Sequence, residues 1–195
     1  LSLVPRRNNV SEDRIAALEA QLAALTKRVT ICEDEQSVRK LHHLYGYLID
    51  KSQYNEVADL FSDEGEVWFL GGIYKKKAGV RRLYIERFQT NFTQGHNGPR
   101  YGWLLDHPQM QMVIDVAPDR SHAKVRGRSM MQAGLHETAE GAQRAWWEGG
   151  IYENTYKKVD GVWRIHILDY APQWHADYET GWAHTRPNYV PFLDK

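Results

Sequence analysis

A tyrosine, an aspartate and a histidine stand where predicted elements converge. Tyr45 lies on the apolar face of a helix, Asp50 just beyond that helix's last turn, and His107 at the opening of a strand that follows a loop. An aspartate beside a histidine holds the imidazole in one tautomer and raises its basicity, giving a general base that works near neutral pH. A tyrosine hydroxyl polarises a carbonyl or stabilises an enolate. The same residues also fit a blander reading, with Tyr45 a satisfied core residue and Asp50 a helix terminator. Spacing alone leaves both open.

Two predicted strands add polar groups. In one, Glu148, Gly150, Tyr152, Asn154 and Tyr156 share a face by the period-two rule; in the next, His166, Leu168 and Tyr170 do. A face bearing Glu148, Tyr152 and His166 is too polar for a plain core and suggests a wet pocket wall, with exposure outside the sheet as the alternative. Trp68, Phe69, Trp103, Trp147 and Tyr170 are candidates for aromatic walls. His175-Ala176-Asp177 with His184 reads as a weak metal-ligand set, and the expectation is no metal. Arg126 and Arg128 read as solvated or interface charge.

The rest of the chain narrows the class. There is no phosphate loop, dinucleotide-type glycine fingerprint, His-Glu-x-x-His or Gly-x-Ser-x-Gly, which argues against nucleotide-dependent or zinc-peptidase function. The 195 residues carry 25 Lys+Arg against 25 Asp+Glu, so no one-signed field favours nucleic acid or anionic membrane. The single cysteine, Cys32, excludes an internal disulfide and fits a reducing, cytoplasmic compartment. No apolar run approaches the roughly 20 residues of a membrane span. Leu1 to Asn9 lacks the apolar core of a secretory signal, and Leu3-Val4-Pro5-Arg6 reads like a protease-tag remnant.

Three blocks must position these groups. Residues 1–10 read as a tag-like or disordered start, and 11–33 as an N-terminal amphipathic helix capped by Ser11. Ile15, Leu18, Leu22, Leu25, Val29 and Cys32 recur at spacings of three and four, fitting a helix laid against its own domain or a subunit contact. Val38, Leu41, Tyr45 and Leu48 give a second helical face, and Val57, Leu60 and Phe61 a short helix. Glu66 to Leu70 gives a compact strand closed by Gly71-Gly72, and Val80 to Phe92 a third amphipathic helix. Strands follow over 107–116, 122–133, 145–159 and 162–170, with a hairpin signal at Asp160-Gly161. Helices followed by an antiparallel meander predict an α+β domain over 34–174, a curved antiparallel sheet with helices closing a cone-shaped pocket. An aromatic-rich tail, 175–195, reads as a lid or an interface.

The run Leu44-Tyr45-Gly46-Tyr47-Leu48-Ile49-Asp50, with Val57-Ala58-Asp59-Leu60-Phe61-Ser62-Asp63-Glu64-Gly65 after it, resembles the opening of SnoaL-like domains of the nuclear-transport-factor-two-like superfamily. His107 ahead of Val113-Ile114-Asp115-Val116, and the stretch from Gly150 to Ile165, fit the same family. The likeness covers about Asp34 to Trp174 and implies the cone-shaped α+β barrel. Among family members the chain resembles scytalone dehydratase and bile-acid dehydratase, whose paired Asp and His fall at Asp50 and His107. Tyr45 matches the bile-acid enzyme's tyrosine. The scytalone enzyme's helix tyrosine is Ile49 here, its pocket asparagine is Tyr152, and its second catalytic histidine falls near Met131. These departures bear on the specific scytalone reaction and leave the base pair intact. The segment Trp147 to Asn154 is similar to one in lyases acting on lignin-derived diarylpropanes, which implies a phenolic substrate.

The resemblance implies a cofactor-independent lyase, of dehydratase or deformylating type, acting on an aromatic or polycyclic small molecule. His107, Asp50, Tyr45 and Tyr152 would be catalytic; Trp68, Phe69, Trp103, Trp147, Glu148, His166 and Tyr170 would bind substrate. The partners expected are a small molecule and further copies of the chain in a dimer or trimer, with neither nucleic acid nor membrane. A non-catalytic binding or assembly domain and an isomerase using the same base are the alternatives.

Overall fold

The computed structural model describes residues 7–136 and 143–184. Of the tag-like start expected over residues 1–10, residues 1–6 lie outside the described residues, as do residues 185–195 at the end of the aromatic tail, and residues 7–10 are helical. A single 44-residue helix, α1 (Arg7–Asp50), replaces the two helices expected, and the boundary expected at residues 33 and 34 falls inside it. Ser11 therefore sits within α1 and does not cap it. Nothing between Cys32 and Val38 breaks a helix, since there is neither proline nor glycine in that stretch. The two halves of α1 meet different surroundings. Val38, His42, Tyr45, Leu48 and Ile49 are buried at helical spacing, whereas Ile15, Leu18, Leu22, Leu25 and Val29 are all more than half exposed. The N-terminal stripe is thus not laid against its own domain.

After α1 come α2 (Tyr54–Asp59), β1 (Phe61–Phe69) and β2 (Gly72–Lys75). Phe61, expected in the short helix, opens β1 instead. Next are α3 (Lys76–Arg81), a π-helical segment (Arg82–Gln89) and α4 (Thr90–Thr93), which run on without a break. The apolar residues Val80, Tyr84, Phe88 and Phe92 recur every four positions, and the wider π turns keep them on one side where a pure α-helix would let them drift. Strands β3 (Trp103–Asp106), β4 (Gln109–Val116), β5 (His122–Leu135), β6 (Arg144–Val159) and β7 (Val162–Asp177) complete the chain, with a 3₁₀ turn at Trp182–His184.

The seven strands form one curved, unclosed sheet in the order β2-β1-β7-β6-β5-β3, with β4 also on β5. Among the described residues only β1 and β7 run parallel. The strand expected over 107–116 begins at Gln109 as β4 and pairs with the beginning of β5, and a separate strand that was not expected, β3, precedes it and pairs with the end of β5. His107-Pro108 occupies the break, because Pro108 has no N–H to give the ladder. Bulges between Gly149 and Gly150 and between Thr155 and Tyr156 bend the long β6–β7 pair. Asp160 and Gly161 both have positive φ, 49° and 80°, as a two-residue hairpin turn requires.

Helices cover the concave face, and the core lies between Val38, Tyr45 and Ile49 of α1, Val57 of α2, Leu83, and Tyr156, Ile165 and Leu168 of the sheet. Asp34 clasps α1 to the far ends of the strands. Its buried carboxylate accepts from Arg120 Nε at 2.6 Å and Trp163 Nε1 at 2.9 Å, and from the Lys158 ammonium. Burial works against its charge, yet these three donors outweigh it and hold the carboxyl down at about 2.

Strand β7 continues seven residues past its expected end, so the tail begins inside the sheet. Trp182 packs edge-on against Trp147 and Trp174 at centroid distances of 5.5 and 5.9 Å. Among the described residues no helix is long and apolar enough to cross a membrane.

Candidate active site

Asp50 ends α1, and His107 sits in the break between β3 and β4; packing of the helix end against the strand break brings them together. Asp50 Oδ1 accepts from the His107 ring nitrogen Nδ1 and, at 3.3 Å, from the His107 backbone N–H. One carboxylate oxygen thus holds both ring and main chain. With the proton on Nδ1, Nε2 is left as the basic nitrogen.

A second chain of bonds fixes His107 from behind. Its carbonyl accepts from Gln109 Nε2 at 2.8 Å, and Gln109 Oε1 accepts from His42 Nε2 at 2.9 Å. His42 Nδ1 in turn accepts from the Tyr156 hydroxyl at 2.6 Å. Gly46 makes this possible, since a Cβ there would meet Gln109 Cγ at 2.8 Å. His42 is fully buried, and burial, opposed by the bond to Gln109, pushes its pKa down to about 4. It is a neutral structural histidine at physiological pH.

Beside His107 stands a group of tyrosines. The Tyr45 ring lies 6.5 Å from the His107 ring and 6.4 Å from Tyr152, and the Tyr45 and Tyr84 hydroxyls are 3.2 Å apart. Burial pushes the Tyr45 and Tyr152 hydroxyls well above the ordinary phenol range, and Tyr84 upward as well. They stay protonated and serve as hydrogen-bond donors. Farther along the sheet, Tyr170 donates to Glu148 Oε1 at 2.8 Å, and His175 Nδ1 lies 3.5 Å from Glu148 Oε2. A side chain at Gly150 would collide with the Tyr170 ring, its Cβ falling 2.3 Å from Cε2, so glycine is what lets that ring lie against β6.

His107, the tyrosines beside it and the Glu148 group face a cavity of about 420 Å³. Tyr45, Phe69, Trp103, His107, Glu148, Tyr152 and Tyr170 line it, with Asp50 behind His107. Three residues expected there do not. Trp68 points to the other face of β1 from its lining neighbours Val67 and Phe69, and its indole bonds Glu66 at 2.9 Å. Trp147, between Trp146 and Glu148, likewise faces outward, against Tyr178 and Trp182. His166 is the extra residue of the β6–β7 bulge, which breaks the period-two phase, and it bonds Ser62 Oγ at 3.1 Å. Trp146, Tyr84, Phe88 and His175 line the cavity without having been expected. His42 carried a signal in sequence, being a polar residue on the Val38–Tyr45 apolar face.

Among the described residues no group of three or more His, Cys, Asp or Glu is placed to hold a metal ion. His175 faces Glu148, Asp177 pairs with Arg144 at 3.6 Å, and the side chain of His184 lies outside the described residues.

A cone of curved sheet and helices around an aromatic cavity, with a His–Asp pair at its wall, defines an NTF2-like pocket domain. The chain belongs to the SnoaL-like domain family, which matches residues 30–169. No curated protein matches it in sequence. Among solved structures it is similar to LinA, with a TM-score of 0.63 and 16% identity over 77% of this chain and 93% of that one. It is also similar to a type 2 hexachlorocyclohexane dehydrochlorinase (LinA), with a TM-score of 0.61 and 18% identity over 78% and 91% of the two chains. A scytalone dehydratase-like protein from Novosphingobium aromaticivorans gives a TM-score of 0.60 and 19% identity over 88% and 99%. At these identities the likeness is one of fold.

Proposed function

We propose that the protein is a lyase that eliminates water or a small carbonyl fragment from a phenolic or polycyclic small molecule. The observation that carries this reading is the His107–Asp50 pair, with buried His107 at the wall of an aromatic cavity and Asp50 behind it. For loss of water, His107 Nε2 takes a proton from a substrate carbon, the electron pair left behind forms a double bond as hydroxide departs, and the imidazolium returns the proton to it. For loss of formaldehyde, Nε2 takes the proton of a primary hydroxyl, whose oxygen forms the carbonyl as the C–C bond breaks, and the carbon left with that bond's electron pair is protonated by the imidazolium. Tyr45 and Tyr152 donate to the oxygen on which negative charge develops. Proton transfer supplies about 10²–10⁴-fold and oxyanion stabilisation about 10²–10³-fold, and the step calls on no redox partner. The eliminating dehydrochlorinase and the dehydratase-like protein among the structural neighbours support the same class of chemistry. A reducing, cytoplasmic setting goes with the lone Cys32, which is exposed and free.

The test is incubation with a panel of phenolic alcohols and diarylpropane diols, read by mass spectrometry. The expected result is loss of water or of formaldehyde from at least one member. A product of unchanged mass points to an isomerase, and a panel returned intact alongside ligand-induced thermal stabilisation points to a binding domain; either outcome overturns the lyase.

The exposed stripe Ile15–Val29 supports pairing of α1 with α1 of a second copy. Light scattering should give a dimer or trimer for the wild type, and a lower mass for Leu18→Glu/Leu22→Glu. An unchanged mass would place any assembly elsewhere.

A further inference from the structure

Four residues stand in one row across the sheet. Asp106 pairs with Gln132, so His107 falls opposite Met131; Met131 pairs with Glu148, and Glu148 with His175. All four line the cavity. Adjacent strands lie about 4.8 Å apart, so at the backbone Glu148 is about 10 Å from His107 and His175 about 14 Å. The cavity therefore has two polar poles, with Phe69, Trp103, Trp146 and Tyr170 as apolar wall between and around them.

The hydrogen-bond state of the far pole decides what it does. Arg144 Nη2 lies 3.4 Å from His175 Nε2 and donates to it, which leaves the His175 proton on Nδ1, facing Glu148 Oε2 at 3.5 Å. With Nε2 accepting, His175 has no proton to hand to a leaving group, and the Tyr170 O–H is committed to Glu148 Oε1. Each Glu148 oxygen thus receives one donor and keeps acceptor capacity. A carboxylate in an apolar wall with free lone pairs takes a hydrogen-bond donor, and repels an anion. Arg144 does not reverse that sign, because it is also paired with Asp177 at 3.6 Å and stacked over Trp146 at 4.9 Å.

We propose that Glu148, held by Tyr170 and His175, is a specificity subsite for an uncharged hydroxyl, a phenol or alcohol, on the part of the substrate remote from the reacting carbon. This rests on the proposed lyase reading and names the group its substrate carries at the far end. A methyl ether at that position offers no donor and leaves Glu148 unmatched.

The experiment is calorimetric binding to the wild-type protein of biphenyl, 4-phenylphenol and 4-methoxybiphenyl, none of which has a leaving group. The phenol is expected to bind at least about tenfold more tightly than the ether, as a hydrogen bond to a charged group implies. Glu148→Gln should bring the two within about twofold while leaving biphenyl affinity and Tm unchanged. His175→Gln should narrow the gap in part. Equal affinities in the wild type, failure of all three probes to bind, or a preference that survives Glu148→Gln would each overturn the subsite. Turnover plays no part in the measurement. A phenol preference without elimination from any diol overturns the lyase alone, and elimination without the preference overturns the subsite alone.

Discussion

Replacing His107 by alanine is expected to lower kcat/KM by about 10³-fold or more with little change in Tm. The magnitude follows from the role: a positioned general base contributes about 10²–10⁴-fold, and with the imidazole gone the cavity wall nearest it offers only tyrosine hydroxyls that burial keeps protonated. The small effect on stability follows from the surroundings, since the side chain of Asp50 is about one quarter exposed and recovers solvation when its partner is removed. Asp50→Asn should cost about 10²-fold. An asparagine can turn its amide N–H toward Nδ1, which shifts the ring proton to Nε2 and removes the basic nitrogen without changing shape. Binding of 4-phenylphenol should be unaffected in Asp50→Asn. Full activity in His107→Ala would remove the proposed base; more than a tenth of wild-type activity in both variants would show that proton abstraction is not limiting.

How legible this site was depends on the range over which each residue acts. Tyr45 and Asp50 share one helix, and Tyr152 and Glu148 one strand, so local periodicity placed them correctly relative to each other. The meander and the Asp160-Gly161 hairpin were readable for the same reason. The misplaced residues fail for two reasons, an interrupted period and a residue type read in place of strand phase. His166 sits in a bulge, and a single inserted residue changes which face follows it. Trp68 and Trp147 alternate with residues that do line the cavity; aromatic type suggested a wall, but strand phase gives the face. The unexpected residues depend on pairing across strands. His175 reaches the cavity only because β7 runs seven residues beyond its expected end, after a second bulge. The His42–Gln109–His107 chain joins positions 67 residues apart through the space above Gly46, and a single sequence holds no record of that meeting.

That buried chain carries the second large prediction, a loss of stability in acid. His42 has an ordinary pKa of 6.5 and is pushed down to about 4 in the fold by burial. Between those values the unfolded chain binds a proton that the folded protein refuses, so stability is full above pH 6.5 and falls as pH drops toward 4. The shift corresponds to about 3 kcal/mol, with a slope of at most about 1.4 kcal/mol per pH unit. Below about 4 the folded His42 protonates too, and its contribution stops changing. Asp34 then takes over. Its carboxyl titrates at 3.8 ordinarily and at about 2 in the fold, so stability present above 3.8 is lost as pH falls toward 2, by about 2 kcal/mol. Urea unfolding at steps from pH 7.5 to 3 should show a shallower decline between 6.5 and 4 in His42→Gln than in the wild type, and a shallower decline below 4 in Asp34→Asn. Equal slopes in His42→Gln and wild type would mean that His42 is already protonated in the fold. The protonation is felt on one side of the ring: a protonated Nδ1 turns the acceptor of the Tyr156 hydroxyl into a donor, while Nε2–H keeps its bond to Gln109 Oε1 and Gln109 keeps its bond to the His107 carbonyl, so the loss is one of core stability.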